Sequence, residues 1–124
     1  MYLGIDLGTS SIKCLLIDDN QKTVATSSHD FTISTPKSGW AEQDPSFWIN
    51  GLSKCLNVLN KNVDLKKILS ISFSGQMHGA TCLNQEGKII RPSILWNDTR
   101  SFKECESMMD SNPDIMDITG NLAM

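Results

Sequence analysis

The sequence has no apolar run near the ~20 residues that a bilayer-crossing helix needs, so a membrane-spanning helix is excluded on length. A leader peptide is not expected either, because Asp6 interrupts the first apolar run. Basic clusters are also missing. Eleven Lys and Arg stand against fourteen Asp and Glu, for a net charge of −3, and the Lys66–Lys67 pair reads as part of a solvated face. Nucleic-acid binding, which neutralises phosphates with clustered cations, is therefore not expected. The four cysteines (Cys14, Cys55, Cys82, Cys105) lie far apart with no C-x-x-C spacing. His78 and Cys82 form the one close His–Cys pair, and two ligands do not close a zinc site. Three of these cysteines have apolar neighbours, which suits small hydrophobes in a reducing cytoplasm. Repeats and low-complexity tracts are absent. With 124 residues, 40% of them apolar and 20% charged, the chain is at most one globular domain, able to bury about two thirds of its unfolded surface.

The most informative segment is the first. A short apolar strand, residues 2–6, ends in the Asp6 carboxylate; Gly8, Thr9, Ser10 and Ser11 follow, and a second apolar strand, residues 12–18, starts around Lys13. Glycine at position 8 lets the backbone turn sharply and approach an anion without a Cβ in the way. Successive N–H groups in such a turn make an anion-binding concavity, the hydroxyls add donors, and Asp6 offers hard oxygen to a Mg²⁺ ion. The same residues also suit a plain hairpin with a polar turn.

Beyond it, Asp18-Asp19-Asn20 reads as a turn and residues 23–27 as a third strand, giving an antiparallel meander. The continuous apolar character of the second strand predicts cover on both faces. Residues 34–43, broken by Pro36, Ser38 and Gly39, read as a loop. Asp44 suits a helix cap and Pro45 the first helical position; Trp48, Ile49, Leu52, Cys55, Leu56 and Leu59 then give one apolar stripe. Leu69, Ile71 and Phe73 alternate with serines as a fourth strand. Residues 80–83 and 88–90 flank Asn84-Gln85-Glu86-Gly87 as a hairpin, and a second helix is expected to start near Asp98. A Rossmann unit would place a helix directly after the first glycine-rich turn, and this chain places a strand there. Trp40, Trp48 and Trp96 read as packing anchors. Asp98 can cap the second helix and pair with Arg100.

Several segments carry a resemblance. The opening decapeptide is similar to the first phosphate motif of the actin-like superfamily. Gly39-Trp40-Ala41-Glu42-Gln43-Asp44-Pro45 with Trp48, then Gly75-Gln76-Met77-His78-Gly79-Ala80, Ile94-Leu95-Trp96-Asn97-Asp98-Thr99-Arg100 and Thr119-Gly120-Asn121, in that order, resemble the FGGY family of carbohydrate kinases. The resemblance covers the whole chain. It implies an α/β fold, the N-terminal part of a ribonuclease-H-like (actin-like ATPase) domain with a mixed sheet and flanking helices. Residues 1–124 would be an incomplete N-terminal kinase domain. The implied activity moves the γ-phosphoryl of ATP, with Mg²⁺, to a hydroxyl of a ketose or polyol, with D-xylulose as acceptor and D-xylulose 5-phosphate as product.

By the same resemblance, Asp6 sits by the metal and the reacting oxygens; Gly8, Thr9, Ser10 and Ser11 line the phosphates, and Lys13 adds charge. Gln76, Met77, His78 and Asp98 face the sugar, with His78 orienting a hydroxyl, Met77 as an adaptable apolar wall, and Asp98 accepting from hydroxyls or bracing the loop. The catalytic base, a second phosphate turn and the adenosine pocket are expected after Met124, so the chain by itself is expected to be inactive. Apolar surface left uncovered by the missing part is expected to favour association of copies. Another pentulose or polyol kinase, or a non-catalytic sugar- or partner-binding module of the same fold, remains an alternative.

Overall fold

Alternation along the first two strands decides which face of the sheet is buried. In β1 (Tyr2–Leu7) Leu3 and Ile5 point into the core; in β2 (Ser11–Ile17) Ile12, Cys14 and Leu16 do, while Lys13 and Leu15 between them are exposed. The second strand is thus covered on one face, not on both, despite its apolar sequence. The computed structural model describes residues 1–123. β3 (Thr23–Asp30) completes the expected antiparallel meander, and after helix α1 (Pro45–Asn60) the chain returns through a short 3-10 turn, Leu65–Lys67, to β5 (Ser70–Gly75). β5 runs parallel to β1, so the sheet is mixed, in the order β3-β2-β1-β5. A helical crossover is what a parallel neighbour requires.

α1 starts as its sequence predicts: the Asp44 carboxylate accepts from the Ser46 N–H at 2.8 Å, and Pro45 takes the first position. Its buried stripe, Cys55 and Leu59 with half-buried Leu52 and Leu56, packs on Leu3, Ile5, Ile12, Cys14 and Leu16. Ile49 lies at the margin of that stripe and is exposed. Gly51 faces the Phe31 ring, where a Cβ would come within 2.7 Å of an aromatic carbon, so only glycine lets the helix approach. Burial, then the neighbouring Cys55, push the Cys14 thiol up to about 11.

Two other expectations change. The loop over residues 34–43 contains β4 (Glu42–Gln43), which pairs with β6 (Ser93–Ile94) in a separate two-stranded sheet. The hairpin around Asn84 is held by one bridge, Leu83 to Ile89, without regular strands. Two further helices, α2 (Phe102–Ser111) and α3 (Ile115–Thr119), close the described chain. α2 begins four residues after the expected Asp98, whose carboxylate accepts from the Arg100 N–H and side chain and from Ala41 N–H. β5 is the outer strand of its sheet, and Leu69 just before it and Phe73 within it are 71% and 72% exposed. No helix among the described residues is long and apolar enough to cross a membrane.

Candidate functional site

Parallel pairing brings the C-terminal ends of β1 and β5 side by side, with Leu7 opposite Gly75. The turn after β1 and the loop after β5 therefore start from the same edge, and the Gln76 N–H donates to the Leu7 carbonyl at 2.8 Å. The turn is tight. Gly8 N–H donates to Ser11 O at 2.9 Å, and a Cβ on Gly8 would lie 3.1 Å from that oxygen. Phe31 N–H holds the Ser10 carbonyl from outside at 2.8 Å. Just before the turn, Asp6 stands in register with Lys13 on β2 and Ser74 on β5. These three line an open groove of about 350 Å³ together with Gly4, Leu15 and Ser72. Asp6 is exposed and forms no ion pair among the described residues.

In the neighbouring loop His78 has φ = 60°, left-handed backbone that costs a non-glycine residue about 1–2 kcal/mol. Met77 and His78 are exposed. The Gln76 amide is buried, and neither its nitrogen nor its oxygen has a hydrogen-bond partner among the described residues. Such a group costs about 1–3 kcal/mol unless a ligand or water satisfies it.

Residues that the sequence did not assign to the turn hold it. Buried Gln43 donates from Nε2 to the Thr9 carbonyl (3.2 Å) and the Thr32 carbonyl (3.1 Å), and its Oε1 accepts from Trp48 Nε1 at 2.6 Å. An indole N–H can only donate, so Trp48 fixes which way the Gln43 amide faces. Trp96, expected as packing, is 51% exposed and donates from Nε1 to Thr9 Oγ1 at 3.1 Å. Nothing in the local sequence marks Gln43 or Trp96 for these contacts, which span 34 and 87 positions.

The Asp98 side chain is buried. Its carboxylate accepts from Ala41 N–H (2.6 Å) and from Arg100 N–H (2.9 Å), Nε (2.8 Å) and Nη2 (2.6 Å). A carboxylate has about four acceptor sites, so none remains for a sugar hydroxyl. Of the two roles expected for Asp98, these four bonds favour bracing over direct acceptance from a sugar. Arg100 also pairs with Glu42 Oε1 at 2.7 Å and lies over the Trp40 ring, 3.7 Å from its centroid; Arg91 reaches the same Glu42 oxygen. The hydrogen bonds from Arg100 hold the Asp98 carboxyl well below the usual carboxylate range. The bond to Asp98 likewise raises the Arg100 guanidinium above its ordinary value. Asp98 thus ties residues 96–100 to β4, whose Gln43 holds the turn.

The donor set fits a polyphosphate with Mg²⁺: a tight glycine turn bearing hydroxyls, beside one exposed carboxylate and one lysine. Magnesium commonly takes one or two carboxylates and completes its shell with phosphate and water. No group of three His, Cys, Asp or Glu able to enclose a metal occurs among the described residues.

Over residues 1–124 the chain matches the N-terminal domain model of the FGGY family of carbohydrate kinases. It is 40% identical to a xylulose kinase of Escherichia coli over 124 residues, which is 100% of this chain and 26% of that protein. A crystal structure of a xyloylose kinase from Brucella ovis superposes with a TM-score of 0.90 at 44% identity, covering 99% of this chain and 26% of that one. A ligand-bound xylulose kinase from Lactobacillus acidophilus gives a TM-score of 0.83 at 30% identity, over 89% of this chain and 22% of that one.

Proposed function

The chain belongs to the FGGY family of carbohydrate kinases, and from that premise we propose that it carries the phosphate turn and the sugar-facing loop of an ATP-dependent D-xylulose kinase. It spans about a quarter of the length of the curated relatives it matches, 26% of the Escherichia coli protein. On this reading residues 1–124 are the incomplete N-terminal part of a kinase domain. The catalytic base, the second phosphate turn and the adenosine pocket belong to the part that the relatives have beyond the match. The reaction takes place in the cytoplasm.

The observation that carries the reading is the adjacency of two loops. The Gly8–Ser11 turn and the Gln76–His78 segment leave neighbouring parallel strands, joined by the Gln76 N–H to Leu7 O bond. Phosphoryl transfer needs the donor phosphate and the acceptor hydroxyl held in line, with charge neutralised between them, and little covalent work from the protein. In this assignment Gly8, Thr9, Ser10 and Ser11 line the phosphates: Thr9, Ser10 and Ser11 offer hydroxyls and backbone N–H groups, while Gly8, its own N–H bonded to the Ser11 carbonyl, keeps the turn tight and free of a Cβ. Lys13 and Asp6 flank the phosphates, Asp6 orienting the Mg²⁺ shell. MgATP, when bound, supplies the transferable phosphoryl group and the cation that offsets its charge. Across the cleft His78 orients a sugar hydroxyl, Met77 offers an apolar wall, and the unpaired Gln76 amide gains a polar partner. Asp98 braces the Trp96–Arg100 segment beside them.

The test joins this segment to the residues that follow the match in the Escherichia coli xylulose kinase and measures ADP release with a panel of pentuloses and polyols. Release that depends on D-xylulose above the other acceptors supports the reading. Release indifferent to every pentulose and polyol overturns it.

A further inference from the structure

Thr9 is gripped from two directions before any ligand arrives. Gln43 Nε2 donates to its carbonyl at 3.2 Å, and Trp96 Nε1 donates to its hydroxyl oxygen at 3.1 Å. The second contact has a directional consequence. An indole nitrogen has a proton to give and no lone pair to receive one. The Thr9 oxygen must therefore be the acceptor, and its own proton is left to point elsewhere. Without the indole, the hydroxyl rotor would be free to turn its lone pairs outward, where they would repel an anion.

We propose that Trp96 is a positioning residue of the phosphate turn: by donating to Thr9 Oγ1 it leaves the Thr9 O–H to be offered to a phosphate oxygen. The inference rests on the proposed phosphate role of the turn. The indole lies far along the chain from the turn, and its exposure (51%) means that it is not there as a core side chain. Its neighbours Leu95 and Asp98 explain how an exposed ring is held. Leu95 is buried and its N–H donates to Ala41 O at 3.0 Å, while Asp98 accepts from Ala41 N–H at 2.6 Å. Residues on both sides of the tryptophan are thus anchored to the same point, and the ring is presented to Thr9 from a fixed base. Such preorganisation lowers the cost of ordering donors when the ligand binds.

The experiment uses the ¹⁵N-labelled chain and inorganic triphosphate with Mg²⁺. The Trp96 indole N–H resonance is assigned by its loss in Trp96→Phe. In the free chain Thr9→Val should move that resonance toward its unbonded position, and Thr9→Ser, which keeps the hydroxyl, should leave it in place. Triphosphate should shift the indole resonance, and Trp96→Phe should weaken binding roughly fivefold, the scale of one neutral hydrogen bond. In the Thr9→Val background the same substitution should have no effect. Losses that simply add, or an indole resonance blind to Thr9→Val, overturn the positioning role while leaving the phosphate reading intact. Failure of the unsubstituted chain to bind triphosphate overturns both. An unchanged urea midpoint for Trp96→Phe confirms that the loss is not one of folding.

Discussion

Replacing Asp98 with asparagine changes one atom's chemistry and almost no volume, yet it should be among the most damaging single substitutions in this chain. The wild-type carboxylate receives two hydrogen bonds from the Arg100 side chain, one from the Arg100 backbone and one from Ala41 N–H. Its side chain is 2% exposed and that of Arg100 15%, so water screens the pair little. Asparagine keeps one oxygen. Wherever its NH₂ lies, it must meet two of those donors, so at least two bonds are lost. Bonds to charged groups are worth about 1.5–3 kcal/mol each, which puts the loss at about 3 kcal/mol or more, in line with breaking a buried ion pair. Glu42, still on Arg100 at 2.7 Å, keeps the guanidinium from being wholly unpaired. With a urea m-value of about 1–3 kcal/mol/M for a small domain, the midpoint should fall by roughly 1–3 M. The assay is urea unfolding followed by tryptophan fluorescence, repeated across acid pH. Because the folded carboxyl titrates below its unfolded value near 3.9, its contribution is complete above about pH 5 and is lost as pH falls through 4 and lower. The wild-type chain should therefore gain stability from pH 3 to pH 5, and the asparagine variant should lack that component. A midpoint unmoved by the substitution, or the same acid slope in both proteins, would refute the bracing role.

Other consequences concern the joined kinase and the cysteines. Asp6→Ala should lower kcat by roughly a hundredfold or more with modest change in sugar affinity, as loss of transition-state stabilisation does; steady-state kinetics with both substrates varied will show the split. His78→Ala should instead raise the KM for D-xylulose, by about five- to tenfold for one lost hydrogen bond, with kcat much less affected. Equal effects of the two variants on both substrates would undo this division of roles. Native thiol labelling followed by mass spectrometry should modify exposed Cys82 first; Cys14, its thiol pushed up to about 11 by burial, should react only on unfolding.

Local chemistry made much of the fold legible. The meander follows from apolar alternation and the Asp18–Asn20 turn, and α1 follows from Asp44, Pro45 and the Cys55–Leu59 stripe. What misled was reading burial from composition alone: residues 12–17 are apolar enough for a two-sided strand, but Leu15 faces outward because no element covers that side among the described residues. The Gly8–Ser11 turn and the Gln76–His78 loop were visible as motifs, since glycine and hydroxyl patterns are local. The parts that hold them were not. Glu42 and Gln43 look like loop residues until β6 pairs with them, and Asp98, whose pairing with Arg100 two residues on was legible, looks like a helix cap until Ala41 also occupies its carboxylate. Such partners lie 49 to 57 positions apart (Glu42 to Arg91, Ala41 to Asp98), and no periodicity or capping rule spans that distance.

The central claim is that donor phosphate and acceptor sugar meet at the adjoining ends of β1 and β5. Hydrogen–deuterium exchange of the joined kinase, measured with MgATP alone and with D-xylulose alone, tests it directly. MgATP should slow exchange in the peptide covering residues 8–11, and D-xylulose in the peptide covering residues 76–79. Protection of neither segment, or sugar protection confined to regions away from the β5 end, would contradict the account.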